Sequence, residues 1–341
     1  MSMQKTRKKK RHTRIMIIQI ALVILLLGVG FIYRSLNKSI DKIQIVDEDD
    51  QSIEQNDGIE ITGYRNIAVF GLDTRDNSLK RGNSDTIMIV SINNKTKDVK
   101  LVSIYRDTYV NIPDIGYSKI NAAYANGGYS LALTTINKNF DLDITEYVTV
   151  SFRAVIGTID QLGGITLDIK ENELKTLNGY VRELNRINDT NVPGLTSAGT
   201  QTVNGTQATA YARIRYTEGG DFKRTERQRI VLGKIFDKVK SSKLTTIYDL
   251  INTIFPQTAT NLEKDEILDL AKDVFSYDIV EQTGFPFEKV AKSYKRGSYV
   301  FPIQLKENVV RLHQMLFDDK EYTVSPNVQE YSDYIEKIRQ Q

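Results

Sequence analysis

Two apolar, β-branched runs flank a polar hexapeptide in Thr86-Ile87-Met88-Ile89-Val90-Ser91-Ile92, Asn93-Asn94-Lys95-Thr96-Lys97-Asp98, Val99-Lys100-Leu101-Val102-Ser103-Ile104-Tyr105. Valine, isoleucine and tyrosine suit a pleated strand, and the Asn/Lys/Thr/Asp cluster between the runs is turn chemistry, so the stretch reads as a β-hairpin. Upstream, 66–70 (Asn66-Ile67-Ala68-Val69-Phe70) reads as a further short strand. Downstream, 148–152 and 165–169 read as strands with a helix over 153–162 between them, stopped by Gly163-Gly164. Asn204 or Thr202 is placed to cap a helix over 205–213, and 222–240 reads as a long helix. Ile267, Leu270, Ala271, Val274 and Phe275 recur at helical spacing, as do Val309, Leu312 and Leu316 within 305–317. Strands interleaved with helices predict an α/β fold: a mixed central β-sheet with helices on both faces, an αβα sandwich.

The 341 residues carry 46 Lys+Arg against 43 Asp+Glu, with no cysteine and two histidines, His12 and His313. Lack of cysteine excludes disulfide scaffolds, Cys-ligated zinc, iron–sulfur clusters and thiol catalysis, and the two histidines exclude a His-rich metal site. The net charge of +3 is uneven. Residues 1–14 hold seven positive residues and no acid, which leaves 39 positive and 43 negative residues in the other 327. Only the N-terminal arm is basic.

That cytoplasmic basic arm, 1–14, precedes an apolar run at 15–33 interrupted only by Gln19. Nineteen residues at ~1.5 Å each come close to the ~30 Å of a bilayer core, which predicts one transmembrane helix ahead of the folded domain. The positive flank places the N-terminus in the cytoplasm and the bulk of the chain outside the cell membrane. Gly28-Val29-Gly30 leaves a cleaved signal peptide as the competing reading, although Phe31-Ile32-Tyr33 continues the apolar run past it. A large cysteine-free extracellular domain fits a Gram-positive bacterium. Residues 35–62 are acidic and poor in large apolar side chains, which predicts an unordered acidic linker. The folded domain is expected over 63–318, helices after 240 completing it, with a loosely held polar C-terminal tail over 319–341.

Charged residues fall at strand ends. Asp73 follows the first strand, Asp85 precedes the second and Arg106 follows the third, so strands running up, down, up bring all three to one end of the sheet. Two carboxylates and a guanidinium there suit a divalent cation beside an anionic group. The same residues also serve as turn and cap residues, with Arg106 paired to Asp107 at the surface. Further on, Arg213, Arg215, Arg224, Arg227 and Arg229 put five arginines within 17 residues. Arg213 and Arg215 point the same way if the chain there is extended. Arg224, Arg227 and Gln228 share one face near the start of the long helix, where free N–H groups and forked guanidiniums favour phosphate. A solvated basic face balanced by Glu218 and Glu226 is the plainer alternative.

These residues carry a resemblance. Gly71-x-Asp73, Ser84-Asp85-Thr86, Arg106-Asp107-Thr108, Lys119-Ile120-Asn121-Ala122-Ala123-Tyr124, Asp160-x-Leu162-Gly163-Gly164, Asn204-Gly205-x-Gln207-Ala208, Arg213-x-Arg215 and Asp221-Phe222-x-Arg224-x-x-Arg227-Gln228 follow one another over about 64–240. In this order they resemble the LytR-CpsA-Psr family. The departures, Ala208-Thr209 where the family has Ala-Leu and Ile104-Tyr105 where a proline is common, touch no charged position.

The resemblance implies a phosphotransferase that moves a glycopolymer (teichoic acid, capsule or another wall polysaccharide) from undecaprenyl pyrophosphate to the C6 hydroxyl of N-acetylmuramic acid in peptidoglycan, assisted by Mg²⁺, with Mn²⁺ as a substitute. It implies metal binding by Asp73 and Asp85, and pyrophosphate binding by Arg106, Arg213, Arg215, Arg224 and Gln228, with Arg227 a helper or a structural residue. Asp221, Asp85 or the metal serves as general base, unless Asp221 caps the long helix. It also implies an apolar tunnel for the prenyl chain. Composition agrees on one point: without a Gly-x4-Gly-Lys-Ser/Thr loop and outside the cell, bond energy must arrive in the donor. A nucleic-acid partner is not expected, because only the short arm is cytoplasmic and no helix-turn-helix is recognisable. A lipid-pyrophosphate hydrolase and a non-catalytic wall-binding scaffold remain alternatives.

Overall fold

The computed structural model describes residues 44–45, 52–72, 79–215, 220–243, 246, 249–250, 257–295 and 297–341. The basic arm, the apolar run at 15–33 and Asp73 lie outside the described residues. Among those described, no helix is long and apolar enough to cross a membrane.

A seven-stranded mixed sheet forms the centre. It is built from β1 (Gln44–Ile45), β2 (Tyr64–Leu72), β3 (Ser84–Asn93), β4 (Asp98–Ile104), β7 (Glu146–Ser151), β10 (Thr258–Thr260) and β11 (Asp278–Phe285), in the order β1-β10-β7-β2-β3-β4-β11. Strand β3 runs antiparallel to β2 and β4, while β7 lies parallel to β2 and β11 parallel to β4. The expected hairpin is present. Asn93 closes it, its side-chain oxygen accepting from the backbone N–H groups of Lys95 and Thr96 at 3.0 Å each.

Alternation along these strands divides the apolar residues between two faces. On one face Phe70, Leu72, Ile87, Ile89, Val102 and Ile104 join the main core with α1 (Asn121–Phe140), α7 (Leu305–Phe317) and α8 (Pro326–Gln340). On the other, Ile67, Met88, Val99 and Leu101 meet Leu232 and Phe236 of α5 (Gly220–Lys240) and Leu270 of α6 (Lys264–Lys272). Helices therefore cover both faces. The expected strand at 165–169 forms as β8 (Ile165–Ile169), but outside the central sheet. It pairs with β9 (Gly199–Val203) and shares a second core with α3 (Glu171–Asn188), α4 (Gly205–Ala212) and α5. The segment expected to be extended at 148–152 turns helical one residue early, as α2 (Phe152–Gln161), because Ser151 accepts from the Ala154 N–H and caps it. Val274 and Phe275 lie past the end of α6.

The domain is larger than the sequence suggested at both ends. The tail is not loose: Ser325 caps α8 and Pro326 opens it, while Val328, Ile335 and Ile338 are buried in the main core. Those residues recur at helical spacing on an otherwise polar segment, so the low mean hydropathy hid a buried stripe. The acidic segment is likewise ordered over 52–62. Ile53 and Ile61 pack on the main core, and buried Asn56 donates to the Asp141 carboxylate and the Ser325 hydroxyl.

Helix α5 is fixed to α3 by an ion pair. Arg227 donates to Glu173 at 2.7 and 2.9 Å and to the Ile214 carbonyl at 3.2 Å, both charged side chains being almost wholly buried. Glu173 also accepts from the Lys170 N–H at 3.0 Å at the start of α3, and its own N–H donates to the Lys170 carbonyl at 2.9 Å. Helix α4 comes so close to α2 that a Cβ at Gly205 would lie 2.1 Å from the Ile156 carbonyl oxygen, so that position tolerates only glycine.

Two outcomes are expected. Removing 319–341 withdraws three aliphatic side chains worth about 1.5–3 kcal/mol each from the core, most of the ~5–15 kcal/mol that keeps a domain folded. Circular dichroism of the truncated chain should show no cooperative unfolding transition, and a melting temperature like that of the full chain would contradict the packing described. Glu173→Ala strands a buried guanidinium and should cost about 3–5 kcal/mol in urea denaturation, with Glu173→Gln affected less.

Candidate active site

The site lies at the sheet end where β2 and β4 finish and β3 begins. Register decides how Asp85 reaches it. Gly71 pairs with Thr86 and Leu72 with Ser84, so Asp85 is the extra residue of a β-bulge, the device by which a strand re-aims one side chain. Gly71 makes this possible, since a Cβ there would stand 2.9 Å from that of Thr86. Arg106 sits in the turn after β4, closed by the Thr108 N–H and hydroxyl on the Tyr105 carbonyl at 2.9 and 2.6 Å. The Arg106 carbonyl accepts from the Asn121 N–H at 3.2 Å, tying the turn to the start of α1.

Asp85 and Arg106 form a close ion pair. Arg215 Nη2 lies 3.8 Å from the same carboxylate, and its Nε lies 3.9 Å from Asp221. Asp221, in the first turn of α5, accepts from Arg224 at 3.0 Å and stands 4.0 Å from Arg106. Two carboxylates thus hold three guanidiniums together. Arg106 approaches Asp107 only to 3.9 Å, and Asp107 instead pairs with Lys119 at 2.9 Å.

Above this lattice is a cavity of about 130 Å³ lined by Asp85, Phe152, Tyr180, Arg213, Arg215, Arg224 and Gln228. Its lining carries three guanidiniums against one carboxylate. The volume suits a small polyanion and is below the ~300–1,000 Å³ of pockets that enclose a drug-sized ligand. Burial, reinforced by the nearby Arg106 and Arg215 and opposed by Asp221, pushes the Arg224 guanidinium down to about 10. The group stays cationic at neutral pH, and an anion in the cavity would relieve the repulsion. Burial also acts to lower Arg106, but Asp85 and Asp221 outweigh it and its pKa is raised. The Nε atoms of Arg106 and Arg224 are buried and find no hydrogen-bond partner among the described residues. The cluster therefore has donor capacity to spare for phosphate oxygens.

Several sequence expectations change in detail. Arg213 is not in an extended segment: it ends α4 in a helical conformation, donates to Glu183 at 3.1 Å and lies against the Phe152 and Tyr180 rings. It reaches the same cavity as Arg215 by a different route. Arg227 does not share the cavity with Arg224 and Gln228, because Glu173 draws it to α3 and gives it a structural part. Asp221 is inside the helix rather than at its cap. The arginine run is no solvated face, since Arg224, Arg227 and Arg229 are all buried. Phe152, Tyr180 and Glu183 were not picked out from the sequence. Their part depends on α3 folding back beside α2 and α4, which no local pattern signals.

A hard divalent cation needs oxygen ligands, and among the described residues no three His, Cys, Asp or Glu side chains gather to cage one. Asp85 and Asp221 do flank the anion cavity. One or two carboxylates completed by substrate phosphate oxygens is the manner in which Mg²⁺ is usually held. The described residues fit that arrangement.

The profile of the LytR_cpsA_psr family matches residues 29–315. The polyisoprenyl-teichoic acid–peptidoglycan teichoic acid transferase TagU of Enterococcus faecalis is 31% identical over 290 residues, covering 81% of this chain and 89% of the relative. The transferase TagT of Bacillus subtilis is 30% identical over 235 residues, 67% of this chain and 70% of the relative. The fold is also that of a solved structure, YwtF (TagT) with bound octaprenyl pyrophosphate lipid, with a TM-score of 0.57 at 24% identity over 80% of this chain and 99% of that one. Sequence match and fold agree with the motif order that ends in the arginine-lined cavity: the chain belongs to the LytR-CpsA-Psr family.

Proposed function

We propose that the protein is a glycopolymer–peptidoglycan phosphotransferase acting outside the cell membrane, anchored by the apolar run at 15–33. Its donor is a glycopolymer on a polyprenyl pyrophosphate, with undecaprenol as the lipid, and its acceptor is the C6 hydroxyl of N-acetylmuramic acid. The observation that carries this reading is the cavity in which Arg213, Arg215, Arg224 and Gln228 face Asp85 at the end of the sheet. Relatives bearing the name teichoic acid transferase, and a structural neighbour with a bound prenyl pyrophosphate, support it.

The reaction asks for positioning and charge neutralisation. The acceptor oxygen bonds to the phosphorus that bears the glycan, and the bridging P–O bond breaks. Polyprenyl monophosphate leaves, and the acceptor proton passes to a base. Arg215 and Arg224 hold the pyrophosphate oxygens and offset the charge that develops on them. Arg213, seated on two aromatic rings and Glu183, bounds the cavity on the far side. Arg106 keeps Asp85 in place and Asp221 keeps Arg215 and Arg224 in place. Asp85 and the donor's phosphates would hold Mg²⁺ or Mn²⁺, which when bound neutralises the pyrophosphate, and the family resemblance adds Asp73 as a second ligand. Asp85, which lines the cavity, and Asp221, which pairs with Arg224 behind it, are the candidates to take the proton.

The full chain, a short-chain prenyl-pyrophosphate-linked saccharide, peptidoglycan oligomers and Mg²⁺ provide the assay. Asp85→Ala and Arg215→Ala should each lower the yield of joined product by on the order of 10²–10³, the usual cost of removing one preorganised electrostatic partner. Chelation of the divalent cation should depress the wild type in the same direction. Prenyl phosphate released without joining would favour the hydrolase reading. Donor binding with no product in any condition would favour a scaffold.

A further inference from the structure

Beside the arginine site stands a group of rings that the transfer chemistry leaves unused. Asp107, 3.9 Å from Arg106, pairs with Lys119, whose ammonium lies 5.4 Å from the centre of the Tyr299 ring. From Tyr299 the rings run on without a break: Tyr109 at 5.3 Å, Tyr117 stacked on Tyr109 at 5.7 Å, and Tyr334 stacked on Tyr117 at 4.0 Å. Tyr294 and Tyr331 meet Tyr109 and Tyr117 edge-on. Three elements converge to make the cluster: the hairpin of β5 (Tyr109–Ile112) and β6 (Gly116–Lys119), the hairpin of β12 (Lys289–Tyr294) and β13 (Gly297–Pro302), and α8.

Tyr109 and Phe301 are its buried floor, whereas Tyr117, Tyr294, Tyr299 and Tyr331 are half-buried and Tyr334 is 41% exposed. Burial, with the Tyr294, Tyr334 and Tyr299 hydroxyls close by, raises the Tyr109 phenol above its ordinary range. Tyr117 lies stacked between Tyr109 and Tyr334, and Tyr334 is the ring of the stack that is open to solvent. Tyrosine is amphipathic, with a flat apolar face and a polar tip. A pyranose is its complement, offering an apolar C–H face with hydroxyls around the edge. Two lysines flank the rings, Lys119 at one side and Lys295 with its ammonium 5.3 Å from the Tyr294 ring centre at the other. They suit a sugar that carries a carboxylate.

We propose that this tyrosine platform seats the acceptor, a glycan strand containing carboxylate-bearing amino sugars, and leads it across Asp107–Lys119 to the arginine site. The proposal rests on the transferase reading for the acceptor's identity, and on the ring geometry for its place. The platform is continuous with the cavity through Arg106, Asp107 and Lys119, so a bound strand would present successive sugars toward the pyrophosphate.

The test titrates a tetrasaccharide of alternating N-acetylglucosamine and N-acetylmuramic acid into the full chain by calorimetry, with a short-chain prenyl pyrophosphate titrated separately. Tyr334→Ala removes the exposed ring, and Tyr117→Leu keeps apolar volume while removing the flat face on which Tyr334 stacks. Thermal unfolding checks that both variants remain folded. Tetrasaccharide affinity should fall at least tenfold in each variant, with prenyl pyrophosphate affinity unchanged. Wild-type tetrasaccharide affinity in both variants, or no affinity in the wild type, would overturn the proposal. A wild type that takes the tetrasaccharide but no prenyl pyrophosphate would overturn the transferase reading and leave the platform standing.

Discussion

Guanidiniums brought together in a half-buried pocket repel one another, and this site exists because two carboxylates stand between them. Asp85 pairs with Arg106 and faces Arg215 at 3.8 Å, while Asp221 holds Arg224 at 3.0 Å and faces Arg215 at 3.9 Å. Neither carboxylate would be in position without a backbone device. Asp85 depends on the bulge opposite Gly71, and Asp221 on the first turn of a helix that a buried Arg227–Glu173 pair fastens in place. Burial is the main cause of the lowered pKa of Arg224, with Arg106 and Arg215 adding to it and Asp221 opposing it. On the proposed reading, a dianionic or trianionic phosphate group is the ligand that would complete the lattice.

The same arrangement explains how such chemistry proceeds without cysteine or a nearby histidine. The one histidine among the described residues, His313, is buried against Tyr322, hydrogen-bonded to the Phe140 carbonyl at 3.0 Å, and does not line the arginine cavity. A donor that already holds a pyrophosphate bond needs alignment and neutralisation more than a nucleophilic side chain. The structure supplies these from rigid elements: a strand bulge, a closed turn, the end of one helix and the start of another.

Local chemistry made part of this legible from sequence. The Asn93–Asp98 turn, strand 165–169 and helix 305–317 carry their signals within a few residues of themselves. Asp85 and Arg106 could be placed at one sheet end because antiparallel strands alternate direction. What depended on distant partners was not legible. The parallel addition of β11 to β4 and the separate β8–β9 pair are decided by which surfaces remain to be covered. Helical spacing put Arg224, Arg227 and Gln228 on one face but could not reveal that Glu173, 54 positions earlier, claims the middle one. Polar composition concealed the Val328–Ile335–Ile338 stripe, and with it the helix that closes the core and carries Tyr334.

In the proposed reaction, forked guanidiniums, and not positive charge alone, take the pyrophosphate. The most direct measurement is the affinity of the full chain for a short-chain prenyl pyrophosphate, wild type against Arg224→Lys, over a range of salt. Lysine keeps the charge but offers a point donor in place of a fork. Binding should weaken with salt in both proteins and be at least tenfold weaker in the lysine variant at every salt concentration. Equal affinity in the two proteins, or none in the wild type, would contradict it.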